Sequence, residues 1–239
     1  MSISEKNEYT TAIILAAGIG SRFDAGVPKQ RVSLLGKSII RRAAEPFYLC
    51  GDIDSIVVVT RSEDVDFVNQ ELRFLGKKLY AVVSGGDCRA ESSKLGFCAI
   101  PPQTTHVVIH DGARCLITSE AISLVIRAAF ASGAASAVSP MISTVKRVRS
   151  DRIIETVKRD DLVLAETPQA FACTLYSEAL SCASDLSCIT DDNMLLENIG
   201  VDITAVYLNT ENPKITYSRD LEYAEFLLKR REEKCLDLE

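Results

Sequence analysis

Several features that would indicate a membrane, secreted or nucleic-acid-binding protein are missing from this sequence of 239 residues. No apolar run approaches the roughly 18 residues that a membrane span needs. The first ten residues, MSISEKNEYT, lack the apolar core of a secretory signal. The net charge of −6 disfavours a general nucleic-acid binder, which would usually be basic. We therefore expect a soluble, cytoplasmic protein that binds neither membranes nor nucleic acids.

Patterns for metal clusters and disulfide frameworks are missing as well. The eight cysteines include no Cys-x-x-Cys pair, and the two histidines, His106 and His110, are too few for a typical zinc cluster. In a reduced cytoplasm, the cysteines are expected to serve as small buried hydrophobic residues.

What the sequence does have is an alternation of apolar runs and helical patterns. Near-continuous apolar runs are typical of strands buried on both faces of a mainly parallel sheet. The alternation predicts one α/β domain over residues 1–239, with a Rossmann-like, doubly wound sheet. The predicted strands are Thr11–Ala16, Ser55–Thr60, Leu79–Ser84, His106–His110, Ala135–Ser139, Leu162–Glu166 and Ile203–Leu208. The predicted helices are Ser38–Cys50, Asp64–Leu75, Ala90–Ile100, Ser119–Ser132, Cys173–Ser184, Asp192–Ile199 and Asp220–Glu233.

Residues 141–160 break this alternation. Branched and charged side chains alternate on both sides of Ser150-Asp151, which predicts a projecting β-hairpin arm. The arm carries six cations of an otherwise acidic chain: Lys146, Arg147, Arg149, Arg152, Lys158 and Arg159. An ordinary edge hairpin is one interpretation. A partner surface is favoured, because a long two-stranded arm is marginally stable alone in water.

The first predicted strand leads into the sequence LAAGIGSRF, and a PKQ segment follows. Small residues let backbone N–H groups approach phosphate oxygens, and nearby cations add positive charge. The small residues are Ala16, Ala17, Gly18 and Gly20, and the cations are Arg22 and Lys29. The Walker A pattern is absent, and the dinucleotide fingerprint fails because Phe23 stands at its third glycine. A phosphate-binding loop is therefore favoured over a tight structural turn.

Polar segments also follow the third and fourth predicted strands. Gly85-Gly86-Asp87 suits backbone hydrogen bonds to a planar base, and Ser92 is expected to begin a helix that faces it. An ordinary helix N-terminus is the alternative there. Asp111 would bind either Mg²⁺ or a substrate hydroxyl, whereas His110 is expected to be packed and hydrogen-bonded rather than catalytic. Ligands bind outside the carboxyl ends of parallel strands, so these segments predict a common site.

Three later segments are polar in the same way. A strand is predicted to end in the turn Thr167-Pro168-Gln169, and Lys214 precedes the last predicted helix. Thr190 is expected to cap a helix that opens at Asp191-Asp192, where acidic residues are favoured in the first turn.

The segments LAAGIGSRF…PKQ, GGDCRAES, HDGAR, ETPQ, TDD and NPKIT occur in this order across nearly the whole chain. Together they resemble the 2-C-methyl-D-erythritol 4-phosphate cytidylyltransferase family. The related ribitol-5-phosphate cytidylyltransferases are separated from it less sharply by these motifs, and a non-catalytic nucleotide sensor on the same fold is a further alternative. The chain departs from the family pattern at Leu15 and Cys115, where the family usually has proline.

The resemblance implies transfer of a cytidylyl group from CTP to a small polyol phosphate, with Mg²⁺ held mainly by the CTP phosphates. It implies that Arg22 and Lys29 stabilise charge on the α-phosphate. The nucleotide would be bound by Ala16, Ala17, Gly18, Gly20, Gly85, Asp87, Ser92 and Lys214. The polyol phosphate would be bound by Asp111, Arg114, Thr144, Arg159 and Thr167. It further implies a homodimer built through the arm, in which Thr144 and Arg159 reach the neighbouring subunit's site.

Overall fold

Seven strands form a central sheet, and two short hairpins lie outside it. The computed structural model describes residues 8–18, 20, 23 and 27–236. Its strands are β1 (Thr10–Leu15), β2 (Ser33–Leu34), β3 (Lys37–Ser38), β4 (Ser55–Thr60), β5 (Leu79–Ser84), β6 (His106–Asp111), β7 (Ala134–Pro140), β8 (Val145–Arg149), β9 (Arg152–Val157), β10 (Val163–Ala172) and β11 (Thr204–Tyr207). Its helices are α1 (Ile39–Leu49), α2 (Val65–Glu71), α3 (Arg89–Cys98), α4 (Ser119–Ser132), α5 (Cys173–Cys182), α6 (Asp192–Glu197) and α7 (Asp220–Leu236).

The order of the central sheet is β11-β7-β10-β6-β1-β4-β5. Every neighbouring pair is parallel except the two pairs made by β10, which is antiparallel to both β6 and β7. The chain order reverses between β1 and β6, and in open α/β sheets such a switch point opens a crevice at the carboxyl ends of the strands. The predicted mainly parallel α/β fold is therefore confirmed.

Alternate side chains of the buried strands pack into two apolar layers, one on each face of the sheet. Ile14 points into a layer completed by α1, α2 and α4, whereas Ile13 points into a layer with α5 and α6. Both side chains are fully buried. This two-sided burial explains why the strand sequences are apolar without alternation.

Several predicted boundaries are wrong. The helix predicted over Asp64–Leu75 ends at Glu71 and is followed by a 3-10 segment, Arg73–Lys78, in which Gly76 has a φ of 54°. The strand predicted to end at Glu166 instead continues to Ala172, past an irregularity between Ala165 and Gln169. It continues because Gln169–Ala172 pairs with β6, and Phe171 is fully buried in the core. The polar triplet that predicted a turn is thus part of a strand.

The predicted arm is present as the hairpin β8–β9, a separate sheet within residues 141–160. Ser150 and Asp151 form its turn, with φ angles of 44° and 63°. Positive φ at both central residues is the signature of the turn type that best matches the twist of a hairpin. Most side chains of the two strands are exposed, including Ile153 at 67%.

Candidate active site

Two cavities open at the carboxyl ends of the central strands. The first, of about 580 Å³, is lined by the loops after β1, β4 and β5, including Ala17, Gly18, Gly20, Lys29, Gly85, Asp87 and Ser92. The second, of about 750 Å³, lies over β7 and β10 and is lined by residues that include Arg114, Glu166, Thr167, Gln169, Asp191 and Asn193. Arg89, Asp111 and Lys214 line both cavities, and we call these three residues the shared wall.

Close packing of two loops shapes the first cavity. A Cβ atom on Gly85 would lie 2.4 Å from Ala17 Cβ and 2.8 Å from Ser92 Oγ, so this position has no room for a side chain. Ser92 Oγ accepts the Gly86 N–H at 3.1 Å and donates to the Cys88 carbonyl at 3.0 Å. The helix begins at Arg89, with Cys88 as its N-cap, and not at Ser92 as predicted. Ser92 therefore lies in the first turn of α3, and its hydrogen bond with the Gly86 N–H holds the glycine loop against that turn.

Lys29 lies at the mouth of the first cavity, as the sequence predicts. Its Nζ donates to the carbonyl of Ile215 at 3.1 Å, which ties the PKQ segment to the loop between β11 and α7. The neighbouring Arg31 binds the buried carboxylate of Asp64, with 2.7 Å between Nε and Oδ1. Arg22, the second predicted transition-state cation, lies outside the described residues.

The shared wall is a short chain of alternating charges. Lys214 Nζ lies 2.6 Å from Asp111 Oδ2, and Arg89 Nε lies 3.0 Å from Asp111 Oδ1. Burial alone would raise the pKa of Asp111, but the charges of Arg89 and Lys214 hold it well below its usual range. Asp111 is therefore an anion at neutral pH with a cation on each oxygen.

Arg89 also binds a second carboxylate, which the sequence analysis did not single out. Its NH1 lies 2.6 Å from Oδ2 of Asp192, whose side chain is fully buried. Burial alone would lower the pKa of Arg89, but Asp192 and Asp111 raise it above its ordinary value. The helix that contains Asp192 is capped by Asp191, which accepts the Met194 N–H at 3.2 Å, and not by Thr190 as predicted.

His110 is packed and hydrogen-bonded, as predicted, and is fully buried. Its Nε2 lies 3.0 Å from the Arg114 carbonyl, which only accepts, so Nε2 carries the proton. The Thr167 hydroxyl donates to His110 Nδ1 at 3.1 Å and accepts the Asp111 N–H at 3.0 Å. Burial lowers the pKa of His110 to about 4, so the ring is neutral at pH 7. The hydroxyl of Thr167 is thus already engaged with β6.

Arg114 crosses the far side of the second cavity. Its NH1 donates to the Asn212 carbonyl at 2.7 Å and lies 3.6 Å from Glu166 Oε2. Asn212 in turn donates to both Glu166 and the Thr167 carbonyl. Arg114 Nε is buried and has no hydrogen-bond partner among the residues that the structure describes.

The two predicted arm residues lie apart from this cluster within the chain. Thr144 is exposed at the base of the hairpin, and Arg159 donates to the carbonyl of Ile142. Neither belongs to the lining of the two cavities. Their predicted contact with a substrate therefore requires a second subunit.

The residues that the structure describes do not group into a metal site held by the protein alone. In the described part of the chain, no three His, Cys, Asp or Glu side chains are grouped so that they could hold an ion. Both oxygens of Asp111 already bind cationic side chains, so a metal ion there would share this carboxylate with Arg89 and Lys214. No helix of the described part is long and apolar enough to cross a membrane.

Comparison with known proteins agrees with this geometry. Residues 10–230 match the family model described as "IspD: 2-C-methyl-D-erythritol 4-phosphate cytidylyltransferase". The enzyme of that name from Desulforamulus reducens is 38% identical over 92% of this chain and 96% of the relative. The one from Pelotomaculum thermopropionicum is 36% identical over 94% of this chain and 96% of the relative.

Solved structures show the same likeness. The crystal structure of 4-diphosphocytidyl-2C-methyl-D-erythritol synthase from Anaerococcus prevotii aligns with a TM-score of 0.82 and 26% identity, over 93% of this chain and 97% of that one. The 2-C-methyl-D-erythritol 4-phosphate cytidylyltransferase of Francisella tularensis aligns with a TM-score of 0.78 and 29% identity, over 92% of this chain and 100% of that one. This chain belongs to the 2-C-methyl-D-erythritol 4-phosphate cytidylyltransferase family and is a nucleotidyltransferase.

Proposed function

We propose that the chain transfers a cytidylyl group from CTP, bound in the first cavity, to 2-C-methyl-D-erythritol 4-phosphate, bound in the second. The products are the CDP-polyol and pyrophosphate, and the reaction belongs to the non-mevalonate isoprenoid pathway. The observation that carries this proposal is that two cavities of about 580 and 750 Å³ meet at the shared wall. Both volumes lie in the range of roughly 300–1,000 Å³ typical of small-molecule sites.

The reaction is an in-line attack of a substrate phosphate oxygen on the α-phosphorus of CTP. The new P–O bond forms as the bond to the leaving pyrophosphate breaks. Because the nucleophile is already an anion, no general base is required, and positioning and charge stabilisation dominate. This need fits a wall that offers fixed cations and in which the one histidine nearby, His110, is neutral and buried.

In the first cavity, backbone amides of Ala16, Ala17, Gly18 and Gly20 are proposed to surround the triphosphate. The tight approach of Gly85 to Ala17 means that a side chain at Gly85 would displace the loop that lines this cavity, and the exposed backbone there is proposed to bind a planar base. Asp87 and the loop that Ser92 fixes would then read the cytosine and ribose. Arg22 and Lys29 are proposed to stabilise negative charge as the pyrophosphate departs.

In the second cavity, the acceptor is proposed to lie between the shared wall and Arg114. The Asp111 carboxylate would accept hydrogen bonds from polyol hydroxyls, and Lys214 would stabilise the phosphates where the two substrates meet. Arg114 lines this cavity, and its guanidinium is suited to the phosphate of the acceptor. Thr167 supports this surface by holding the backbone of Asp111.

Mg²⁺ is proposed to enter as the CTP complex and not as a resident cofactor. Its chemistry there is to neutralise triphosphate charge, because Mg²⁺ is usually bound through phosphates and few carboxylates. Nothing in the described residues provides a cage for it.

The arm is proposed to build a homodimer in a cytoplasmic enzyme. Its exposed apolar side chains include Ile142 at 81% and Ile153 at 67%, and a patch of this kind marks an interaction surface. A two-fold partner would bring Thr144 and Arg159 of each arm to the second cavity of the other subunit.

A pyrophosphate-release screen tests the proposed function. CTP, ATP, GTP and UTP are each incubated with methylerythritol phosphate or with ribitol phosphate, with and without Mg²⁺. Release is expected only with CTP and methylerythritol phosphate, and it should need the divalent ion. Faster turnover with ribitol phosphate would reassign the acceptor, and binding of CTP without turnover of any acceptor would indicate a nucleotide sensor.

A further inference from the structure

We propose that Asp192 is a positioning residue for the transfer reaction, and that it acts through Arg89 on the Asp111–Lys214 pair of the shared wall. This inference rests on the proposed function and adds a residue that lines neither cavity. Asp192 is fully buried, so its influence on a substrate must be indirect, and Arg89 is the cavity-lining side chain that its carboxylate binds.

Asp192 also has hydrogen-bond partners on the side that faces away from the substrates. Its Oδ1 accepts the hydroxyl of Tyr176 at 2.7 Å. Tyr176 is itself fully buried, stacked on Phe171 and packed edge-on against Phe97. The backbone N–H of Asp192 donates to Gln169 Oε1 at 3.1 Å, which joins α6 to β10.

The other carboxylate oxygen faces the shared wall. Oδ2 of Asp192 binds NH1 of Arg89 at 2.6 Å, and Nε of the same guanidinium binds Asp111 at 3.0 Å. The planar guanidinium thus bridges two carboxylates from different parts of the fold, a geometry that a lysine cannot reproduce. Lys214, Asp111, Arg89 and Asp192 form a line of charges that alternate in sign and sum to zero.

In this line of charges, the charge of Asp192 holds Arg89 in place, which an apolar side chain at the same position would not do. Without its charge, Arg89 would be held at one end only and could turn towards the phosphates or follow Asp111. Asp111 and Lys214 would then lose their fixed place between the cavities. Because correct placement of reacting groups is a large part of phosphoryl-transfer catalysis, a small displacement here lowers the rate.

Asp192→Asn is the central test, because it keeps the shape and removes the charge. We expect kcat to fall about 10–100-fold, the scale for outer partners that orient a site's ligands. KM for CTP should change less than about threefold, since Asp192 itself lines neither cavity. Tyr176→Phe is the matched control: it removes the contact on the opposite oxygen of Asp192 and should leave kcat within about threefold of wild type.

The double variant Arg89→Met/Asp192→Asn tests the route. If Asp192 acts through Arg89, the double variant should have the kcat of Arg89→Met within about twofold, since the second change then removes nothing further. Its melting temperature should exceed that of Arg89→Met, because a lone buried carboxylate is no longer present. Multiplied losses in kcat would overturn the proposed route.

A pH profile adds a measurement that loosened packing would not change. Arg89 from α3, Lys214 before α7 and the neutral His110 on β6 face Asp111. Without Arg89, burial of Asp111 is opposed mainly by Lys214, so its pKa should rise. As pH falls, kcat/KM of Arg89→Met should therefore begin to decline at a higher pH than kcat/KM of the wild type.

The outcomes separate this inference from the proposed function. A wild type that is inactive with every nucleotide and acceptor would reject the proposed function. An active wild type with an unaffected Asp192→Asn, or a Tyr176→Phe that loses as much kcat as Asp192→Asn, would overturn the positioning role alone. Should Arg89→Met not fold, the comparison of Asp192→Asn with Tyr176→Phe decides by itself.

Discussion

The carboxyl edge of the sheet and the β8–β9 arm both carry clustered cations, but they hold them in opposite ways. At the sheet edge, Arg89 lies between two carboxylates, and Asp111 has a cation on each oxygen. On the arm, most side chains are exposed, and Arg159 binds a carbonyl of its own hairpin. The edge is organised within one chain, whereas the arm presents charge and apolar surface outward.

This difference indicates which contacts hold the charged side chains of each region in place. Buried ion pairs need neighbours that replace water, and strand ends within a core supply them. Exposed pairs such as Arg147–Glu155 contribute little to stability by themselves. We therefore expect changes at the edge to act within one subunit and changes on the arm to act between subunits, and four experiments test that division.

The largest expected effect is discrimination between nucleotides at the sheet edge. A purine is expected to clash with the loop at Gly85-Gly86-Asp87 or to leave buried polar groups unpaired, and such mismatches cost about 10⁴-fold in kcat/KM. Initial rates with CTP and ATP, each with methylerythritol phosphate, measure the ratio. Comparable turnover with the two nucleotides would show that the packing at this edge does not discriminate between a pyrimidine and a purine.

Lys29→Ala should lower kcat by about 10²–10³, the scale for removing one preorganised donor to the transition state. KM for CTP should change less, because ground-state binding is shared with backbone amides. Steady-state kinetics at saturating acceptor distinguish the two parameters. Normal kcat with a large rise in KM would place Lys29 in ground-state binding instead.

Arg159 provides the test between subunits. Lys29→Ala and Arg159→Ala alone should each be nearly inactive. If Arg159 acts across the dimer, a mixed dimer has one site with both defects and one intact site. Equal mixing makes half of the dimers mixed, so roughly a quarter of wild-type activity should return.

The matched control for this mixing experiment is Lys29→Ala with Lys214→Ala, since both residues lie at the edge of one subunit. That pair should recover no activity. Differently tagged chains must first show that subunits exchange. With exchange established, no recovery for the Lys29–Arg159 pair would place Arg159 in its own subunit's site.

The smallest effect concerns His110 beneath the edge. Its pKa of about 4 in the folded chain lies below the value of about 6.5 in an unfolded one. The unfolded chain therefore binds more protons between these values, and stability falls as pH falls through that window, by about 3 kcal/mol in total. Denaturant unfolding of wild type and His110→Gln from pH 7 to pH 4 measures the difference, and parallel curves would contradict a buried neutral ring.

The sequence predicted the fold well where a single periodic signal acts along the chain. Ser55–Thr60, Leu79–Ser84 and helix Ser119–Ser132 have the predicted bounds. Their apolar runs and the Gly133 that ends the helix are local features. The arm was predicted equally well, because its alternation of branched and charged side chains and its turn depend only on neighbouring residues.

The sequence was less informative where a polar residue is buried by distant parts of the chain. Gln169 reads as a turn residue, yet it is 1% exposed and bonded to α6. Asp192 reads as part of a helix start, although it binds Arg89 across 103 positions of the chain. Asp192 lay within the TDD segment, but no local pattern distinguishes a buried ion pair from a helix cap. Long-range pairing of charges requires coordinates.

The small size of the shared wall has a consequence for how such an enzyme changes its chemistry over time. Among the residues that the structure describes, three side chains face both cavities, and each cavity otherwise has its own lining. Substitutions around Ser136, Ala165 and Asn193 would alter the second cavity without touching the glycine loops. A lineage, or a protein engineer, can therefore exchange the acceptor while inheriting the donor site intact. We expect libraries confined to the second cavity to yield new acceptors with the preference for CTP retained.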